Sequence, residues 1–155
     1  MTPQELVKAF TKAVEDRNGD AMATLFTEDG VYHDVFYGEF KGRARVKELV
    51  DDWFYRHARD FRWDMLEPVS DGRNLYTPYM FSYISTLPEA KGKRVMFEGV
   101  GIMRLKDGLI TSYREIANTG PALVDTGFPP ERVAKILARQ GESVAAQPEA
   151  ARHRA

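Results

Sequence analysis

Cysteine is absent from the chain's 155 residues, which removes disulfides, thiolate nucleophiles and cysteine-based metal sites together. An excess of charge is absent too: 22 Lys and Arg stand against 23 Asp and Glu, a formal net charge of −1. No basic run forms a phosphate-tracking stripe, so nucleic acid is not expected as a partner. No apolar run approaches the ~20 residues that span a bilayer, and the N-terminus opens on a polar, helix-competent segment instead of a charged stub and an apolar stretch. The expectation is a cytoplasmic protein with no membrane partner. Histidine is scarce, and His33, His57 and His153 are scattered without ligand spacing. Neither a metal nor another cofactor is expected.

What is present is an ordinary globular composition, 43% hydrophobic and 29% charged, at a length that predicts one domain. Thr2-Pro3-Gln4-Glu5 reads as a capped helix start, and Leu6, Phe10, Ala13 and Val14 recur on one helical face. Asp20 caps a second short helix carrying Met22, Leu25 and Phe26, and Thr27-Glu28-Asp29-Gly30 reads as a turn. Val31 to Tyr37 reads as a strand. After the glycine-flanked turn 38–42, an amphipathic helix is predicted over about 43–58, with Val46, Leu49, Val50, Trp53, Phe54 and His57 on its stripe.

Strands follow at Arg62–Val69, Leu75–Leu87, Arg94–Leu105 and Leu109–Asn118, with Lys106-Asp107-Gly108 as a hairpin turn and Pro78 marking an edge or bulge. Thr119-Gly120-Pro121 ends the last strand, and Pro129-Pro130 starts a closing helix ended by Gly141. Residues 1–140 are read as a single domain and 141–155 as a flexible tail. Helices and strands are segregated, which predicts an α+β fold with an antiparallel sheet, curved by the glycines of its fourth strand. The strand 75–87 is apolar or aromatic on both faces, so a homodimer through the sheet is expected to cover the second. Tyr76, Tyr79 and Tyr83 are assigned to that surface.

Within the strand 31–37, Tyr32, Asp34 and Phe36 share one face and Val31, His33, Val35 and Tyr37 the other; pattern alone leaves open which points inward. In the last strand, Arg114 and Glu115 face opposite ways, and Arg114 shares a face with Ile116 and Asn118. Three pieces in order carry a resemblance to a known group: Gly19-Asp20 through Leu25–Asp29 to Tyr32-His33-Asp34, Gly38 to Gly42 leading into the amphipathic helix, and Lys106–Ile110 through Tyr113-Arg114-Glu115 to 123–127. Together they resemble the nuclear transport factor 2-like superfamily, and within it the SnoaL-like polyketide cyclase and ketosteroid isomerase-like group.

The resemblance implies a cone-shaped, curved antiparallel (mixed) sheet wrapped around N-terminal helices, also described as cystatin-like, with an apolar pocket at its open end. It places Asp34 where ketosteroid isomerases keep their proton-moving aspartate, and Tyr32 where limonene-epoxide hydrolases keep a water-positioning tyrosine. His33 then faces away from the pocket. The isomerase oxyanion-hole residues match Phe10 and Gly101, which cannot donate from a side chain. The hydrolase charges match Met80 and Ser82, and the cyclase acid matches Asn118.

The expected function is cofactor-independent proton abstraction on an apolar, carbonyl-bearing small molecule, in a cyclase, isomerase or dehydratase. Asp34 is the base, Tyr32 and Asn118 are polar anchors, and Arg114 either stabilises developing negative charge or pairs with Asp34 and lowers its pKa. Phe10, Phe36, Trp53, His57 and Met80 are assigned to the pocket lining, together with Phe97, Gly101, Met103 and Ile116. A non-catalytic ligand-binding or dimeric scaffold module is the alternative. A third reading, an epoxide or ester hydrolase, would rest on Asp34 alone.

Overall fold

The computed structural model describes residues 1–154. Helix α1 (Pro3–Glu15) opens with the expected capping box: Thr2 Oγ1 accepts from the Glu5 amide at 3.2 Å, and Glu5 Oε2 accepts from the Thr2 amide at 2.7 Å. Its apolar face is buried, and Phe10 sits at the centre, its ring 5.8 Å from Tyr32, 5.5 Å from Trp63 and 4.8 Å from Tyr113. Helix α2 (Gly19–Thr24) follows.

Strand β1 (Phe26–Asp34) begins five residues earlier than the sequence pattern indicates. The stretch Thr27–Gly30 is not a free turn: it lies inside β1 as an irregularity against the last strand. The glycine-flanked segment after Tyr37 is likewise a strand, β2 (Gly38–Lys41), paired antiparallel to β1 with Asp34 opposite Gly38.

The amphipathic helix is shorter than 43–58. Helix α3 (Arg43–Glu48) runs into a wider π-type turn (Leu49–Trp53), in which the Phe54 amide donates to the Leu49 carbonyl five residues back. That turn exhausts the helix. His57 therefore falls past its end, exposed ahead of β3 (Ala58–Met65), instead of on the apolar stripe.

The sheet is completed by β4 (Val69–Ser70), β5 (Asn74–Ser85), β6 (Arg94–Lys106) and β7 (Leu109–Ala117). Its order is β2-β1-β7-β6-β5-β3, with β4 also on β5; β1 and β7 are parallel and the other pairs antiparallel. The sheet is curved and unclosed, and the fold is α+β. Its concave face holds Tyr32, Trp63, Tyr79, Phe81, Phe97, Met103 and Tyr113, all buried.

A short helix absent from the sequence reading, α4 (Gly120–Asp125), follows β7, and α5 (Pro130–Ala145) runs past Gly141. Beyond it, Pro148–His153 form a 3-10 turn. Among the described residues no helix is long and apolar enough to cross a membrane.

The phase of β7 is set by a bulge. Arg104 pairs with Ser112 but Leu105 pairs with Ile110, so Thr111 is an extra residue between them. One inserted residue exchanges the faces of everything beyond it. Ile110 and Tyr113 are both fully buried despite their odd spacing, and Arg114, Ile116 and Asn118 are left on the outer face.

Candidate active site

A cavity of about 850 Å³ opens between the concave face of the sheet, the end of the α3 segment, α4 and α5. Its walls are aromatic: Phe54, Phe61, Phe81 and Phe97 line it, with Trp63 below and Phe36 and Tyr37 at the β1–β2 turn. These rings support one another, Phe81 lying 4.8 Å from Trp63 and 5.2 Å from Phe97.

Two carboxylates line this apolar space from the sheet, Asp34 from the end of β1 and Glu115 from β7. Asp34 Oδ1 accepts from the amides of Phe36 and Tyr37, both at 2.9 Å, and so closes the β1–β2 turn. Its second oxygen accepts no hydrogen bond among the described residues. Burial raises the Asp34 pKa to about 6, against the two amide bonds that pull it down.

Glu115 Oε2 accepts from the Tyr79 hydroxyl at 2.6 Å and the Tyr113 hydroxyl at 3.2 Å. Burial, and then the charge of Asp34, raise the Glu115 pKa to about 8 in spite of these donors. No cation pairs with either carboxylate among the described residues. The Tyr79 contact depends on Gly99: a Cβ there would lie 2.6 Å from the Tyr79 hydroxyl and 2.5 Å from the Ile116 carbonyl.

Tyr32 also lines the cavity, and its hydroxyl is buried without a hydrogen-bond partner. A buried hydroxyl left unpaired costs about 1–3 kcal/mol. Burial, with the charges of Glu115 and Asp34, pushes its pKa well up, so it remains a proton-bearing donor.

The structure thus brings together Tyr32, Asp34, Phe36, His57 and Phe97 of the residues singled out in the sequence. Others fall elsewhere. Arg114 and Asn118 are exposed on the outer face of β7, and Ile116 there is 62% exposed. Met80 shares that outer face, where Met80, Ile116 and Asn118 border a shallow depression. In β7, alternation from the buried Tyr113 beyond the Thr111 bulge puts Arg114, Ile116 and Asn118 outward, and neither an anchor at Asn118 nor a charge stabiliser at Arg114 can reach the cavity from that side.

Phe10 and Met103 are fully buried core. Gly101 lies behind the Tyr113 ring, 3.3 Å from where its Cβ would stand, and Trp53 packs on Tyr37 and Phe40 outside the lining. His33 is exposed, 3.7 Å from Glu39, and does not border the cavity.

Two groups escaped the sequence reading. Glu115 was visible only as the neighbour of Arg114; the fully buried Tyr113 two positions earlier marks its face. Tyr79, assigned to the sheet surface, is 3% exposed and holds Glu115, and Tyr83 lines the cavity. Among the described residues no three His, Asp or Glu side chains converge as metal ligands would.

Chemically, the arrangement offers a base and an acid on the lining of one largely aromatic cavity. With pKa values of about 6 and about 8, Asp34 is mostly ionised and Glu115 mostly protonated at neutral pH. Environments that separate the pKa values of two neighbouring carboxyls assign them opposite proton-transfer roles.

Comparison with known proteins agrees with this fold. The profile of the SnoaL-like domain matches residues 7–113. A protein from Catenulispora acidiphila with a ketosteroid isomerase-like fold, solved in complex with trimethylamine, superposes with a TM-score of 0.73 at 20% identity over 84% of this chain and 98% of that one. An epoxide hydrolase of the LEH-like type from M. tuberculosis gives 0.64 at 21% identity, covering 86% and 92%. A putative polyketide cyclase from Xanthomonas campestris gives 0.65 at 20% identity, covering 80% and 96%. At these identities the solved structures speak for the fold alone. A search of the curated proteins gave no match.

Proposed function

This chain belongs to the SnoaL-like domain family, and we propose that it is a cofactor-independent enzyme that moves a proton next to the carbonyl of an apolar small molecule. The observation that carries this is that two carboxylates without cation partners, Asp34 and Glu115, line one aromatic-walled cavity, and that both have raised pKa values. Asp34, through the oxygen not used in the turn, removes the proton α to the carbonyl. Protonated Glu115 donates to the carbonyl oxygen as negative charge develops there, and Tyr32, a lining residue whose hydroxyl has no acceptor of its own, would be the second donor. Tyr79 and Tyr113 hold the Glu115 carboxyl in position. Returning the proton from Asp34 to another carbon would give isomerisation; expulsion of a β-hydroxyl would give dehydration, and carbon–carbon attack by the enolate would give cyclisation.

Each donor aimed at the enolate is worth about 2.7–4 kcal/mol of transition-state stabilisation, and the base roughly 10²–10⁴ in rate. The test is α-proton exchange of a panel of apolar ketones in D2O, followed by NMR. Wild type should exchange at least one of them. Asp34→Asn should slow it roughly 10²–10⁴-fold, while leaving the fold intact because the amide oxygen still accepts from Phe36 and Tyr37. Exchange that survives in Asp34→Asn rules this role out.

A second reading, ligand binding without turnover, is favoured by the same aromatic box. Rings and carboxylates together suit a small organic cation, and a structural neighbour was solved with trimethylamine. Saturable calorimetric binding of trimethylammonium with no ketone exchange would support it.

We also propose that a second copy covers the outer sheet face, where Tyr76, Met80, Met96 and Ile116 are all more than a third exposed. Light scattering should then give a dimer, reduced to a monomer by Ile116→Asp.

A further inference from the structure

The cavity lining carries charge of both signs, on different elements. The acids Asp34 and Glu115 line it from the sheet; α5 lines it with the face that carries Arg132, Lys135, Ile136, Arg139, Gln140 and Ser143. These positions recur every three or four residues, so they lie on one side of the helix. The acidic residues of α5, Glu131 and Glu142, do not border the cavity.

Lys135 and Arg139 have no ion-pair partner among the described residues, and both are exposed. Arg132 is more constrained: its guanidinium lies 3.8 Å over the Phe128 ring and 3.9 Å from Glu89. Gln140 adds a second and independent sign. Thr119 Oγ1 holds one end of its amide at 2.9 Å, while Nε2 is buried without a partner. The polar residues by which α5 lines the cavity are Arg132, Lys135, Arg139, Gln140 and Ser143, and none of these is a carboxylate. Solvation alone does not call for this, since an unpaired buried donor is costly.

We propose that the occupant is an amphipathic acid. Its apolar, carbonyl-bearing body fills the aromatic space, and its carboxylate lies on Lys135 and Arg139, with Gln140 Nε2 as a neutral donor. This rests on the proton-transfer reading for the carbonyl end of the molecule but not for its binding. The acid group fixes the direction in which the substrate enters, so that the carbonyl meets Glu115 and the carboxylate stays away from Asp34. A carboxylate beside Asp34 would add a further like charge where the charge of Asp34 already raises the Glu115 pKa.

The experiment is calorimetric titration of wild type with 9-oxodecanoate and with its methyl ester at low ionic strength. The acid should bind about tenfold tighter than the ester. In Lys135→Ala/Arg139→Ala the ratio should fall to about one while ester affinity is kept, and salt should shrink the wild-type ratio. Both substituted positions are exposed, so the fold is not at risk. Equal binding of acid and ester by wild type, binding of neither, or a preference that survives the double substitution overturns the proposal. Failure of the proton-transfer reading looks different: either ketone binds, but its α-protons do not exchange in D2O.

Discussion

Glu115 and Arg114 are neighbours in one strand and occupy opposite worlds. Glu115 faces an aromatic cavity, accepts from two tyrosines and is held protonated to about pH 8. Arg114 lies exposed on the far side with Ile116 and Asn118. The two side chains meet different surroundings, and each surrounding decides what its group can do. Burial without a cation turns an ordinary glutamate into a hydrogen-bond donor; exposure leaves an arginine as a solvated charge. The lesson concerns strands generally: chemistry is assigned by face, and face is assigned by the nearest bulge.

The sharpest way to break this contrast is to exchange the inner group for an apolar one. Glu115→Leu should cost ketone exchange roughly 10²–10³-fold, whereas Arg114→Ala and Asn118→Ala should leave it within about twofold, as surface changes do. An equal loss from Arg114→Ala would place the active face on the wrong side of β7.

A gentler change separates charge from donor. The active form needs Asp34 ionised and Glu115 protonated, so the exchange rate should follow a bell with limbs near pH 6 and 8. Glu115→Gln keeps a neutral donor. It should retain activity within about tenfold and lose only the alkaline limb.

The smallest effect is on stability. Both carboxyls have folded pKa values above their ordinary ones, so between those values the folded chain binds more protons than the unfolded chain. Stability therefore falls with rising pH. The contribution of Glu115 is complete below 4.5 and lost as pH rises through about 8. At pH 9 Glu115→Gln should melt above wild type, by roughly 2–4 °C for each kcal/mol relieved, and at pH 5 the two should nearly coincide. A wild type that gains stability from pH 5 to 9 relative to the variant contradicts the sign.

Much of the architecture was legible because it rests on strong local signals. The Thr2–Glu5 capping box, the Lys106-Asp107-Gly108 turn and the alternation of 94–105 all lie where the pattern puts them. Tyr32 and Asp34 share the inner face, and the family resemblance supplied which face that was. What escaped depends on interruptions that carry little sequence signature. The wide turn at 49–53 shortens α3 and moves His57 to the rim. The resemblance, which matches the cyclase acid to Asn118, puts Asn118 and Arg114 inward, whereas beyond the extra Thr111 the buried Tyr113 sets the inner face of β7 and brings Glu115 with it. Tyr79 was hidden for another reason: its role depends on Gly99, on a different strand, leaving room for its hydroxyl to reach Glu115. The basic face of α5 became visible only once the helix lay over the cavity.

The central claim is that the two inner carboxyls hold different protonation states at neutral pH. It is tested most directly, and without any substrate, by carbon-detected NMR titration of the side-chain carboxyls, assigned through Asp34→Asn and Glu115→Gln. The account predicts midpoints near 6 for Asp34 and near 8 for Glu115. Midpoints for both below about 5, the range of ordinary solvated carboxylates, would contradict it.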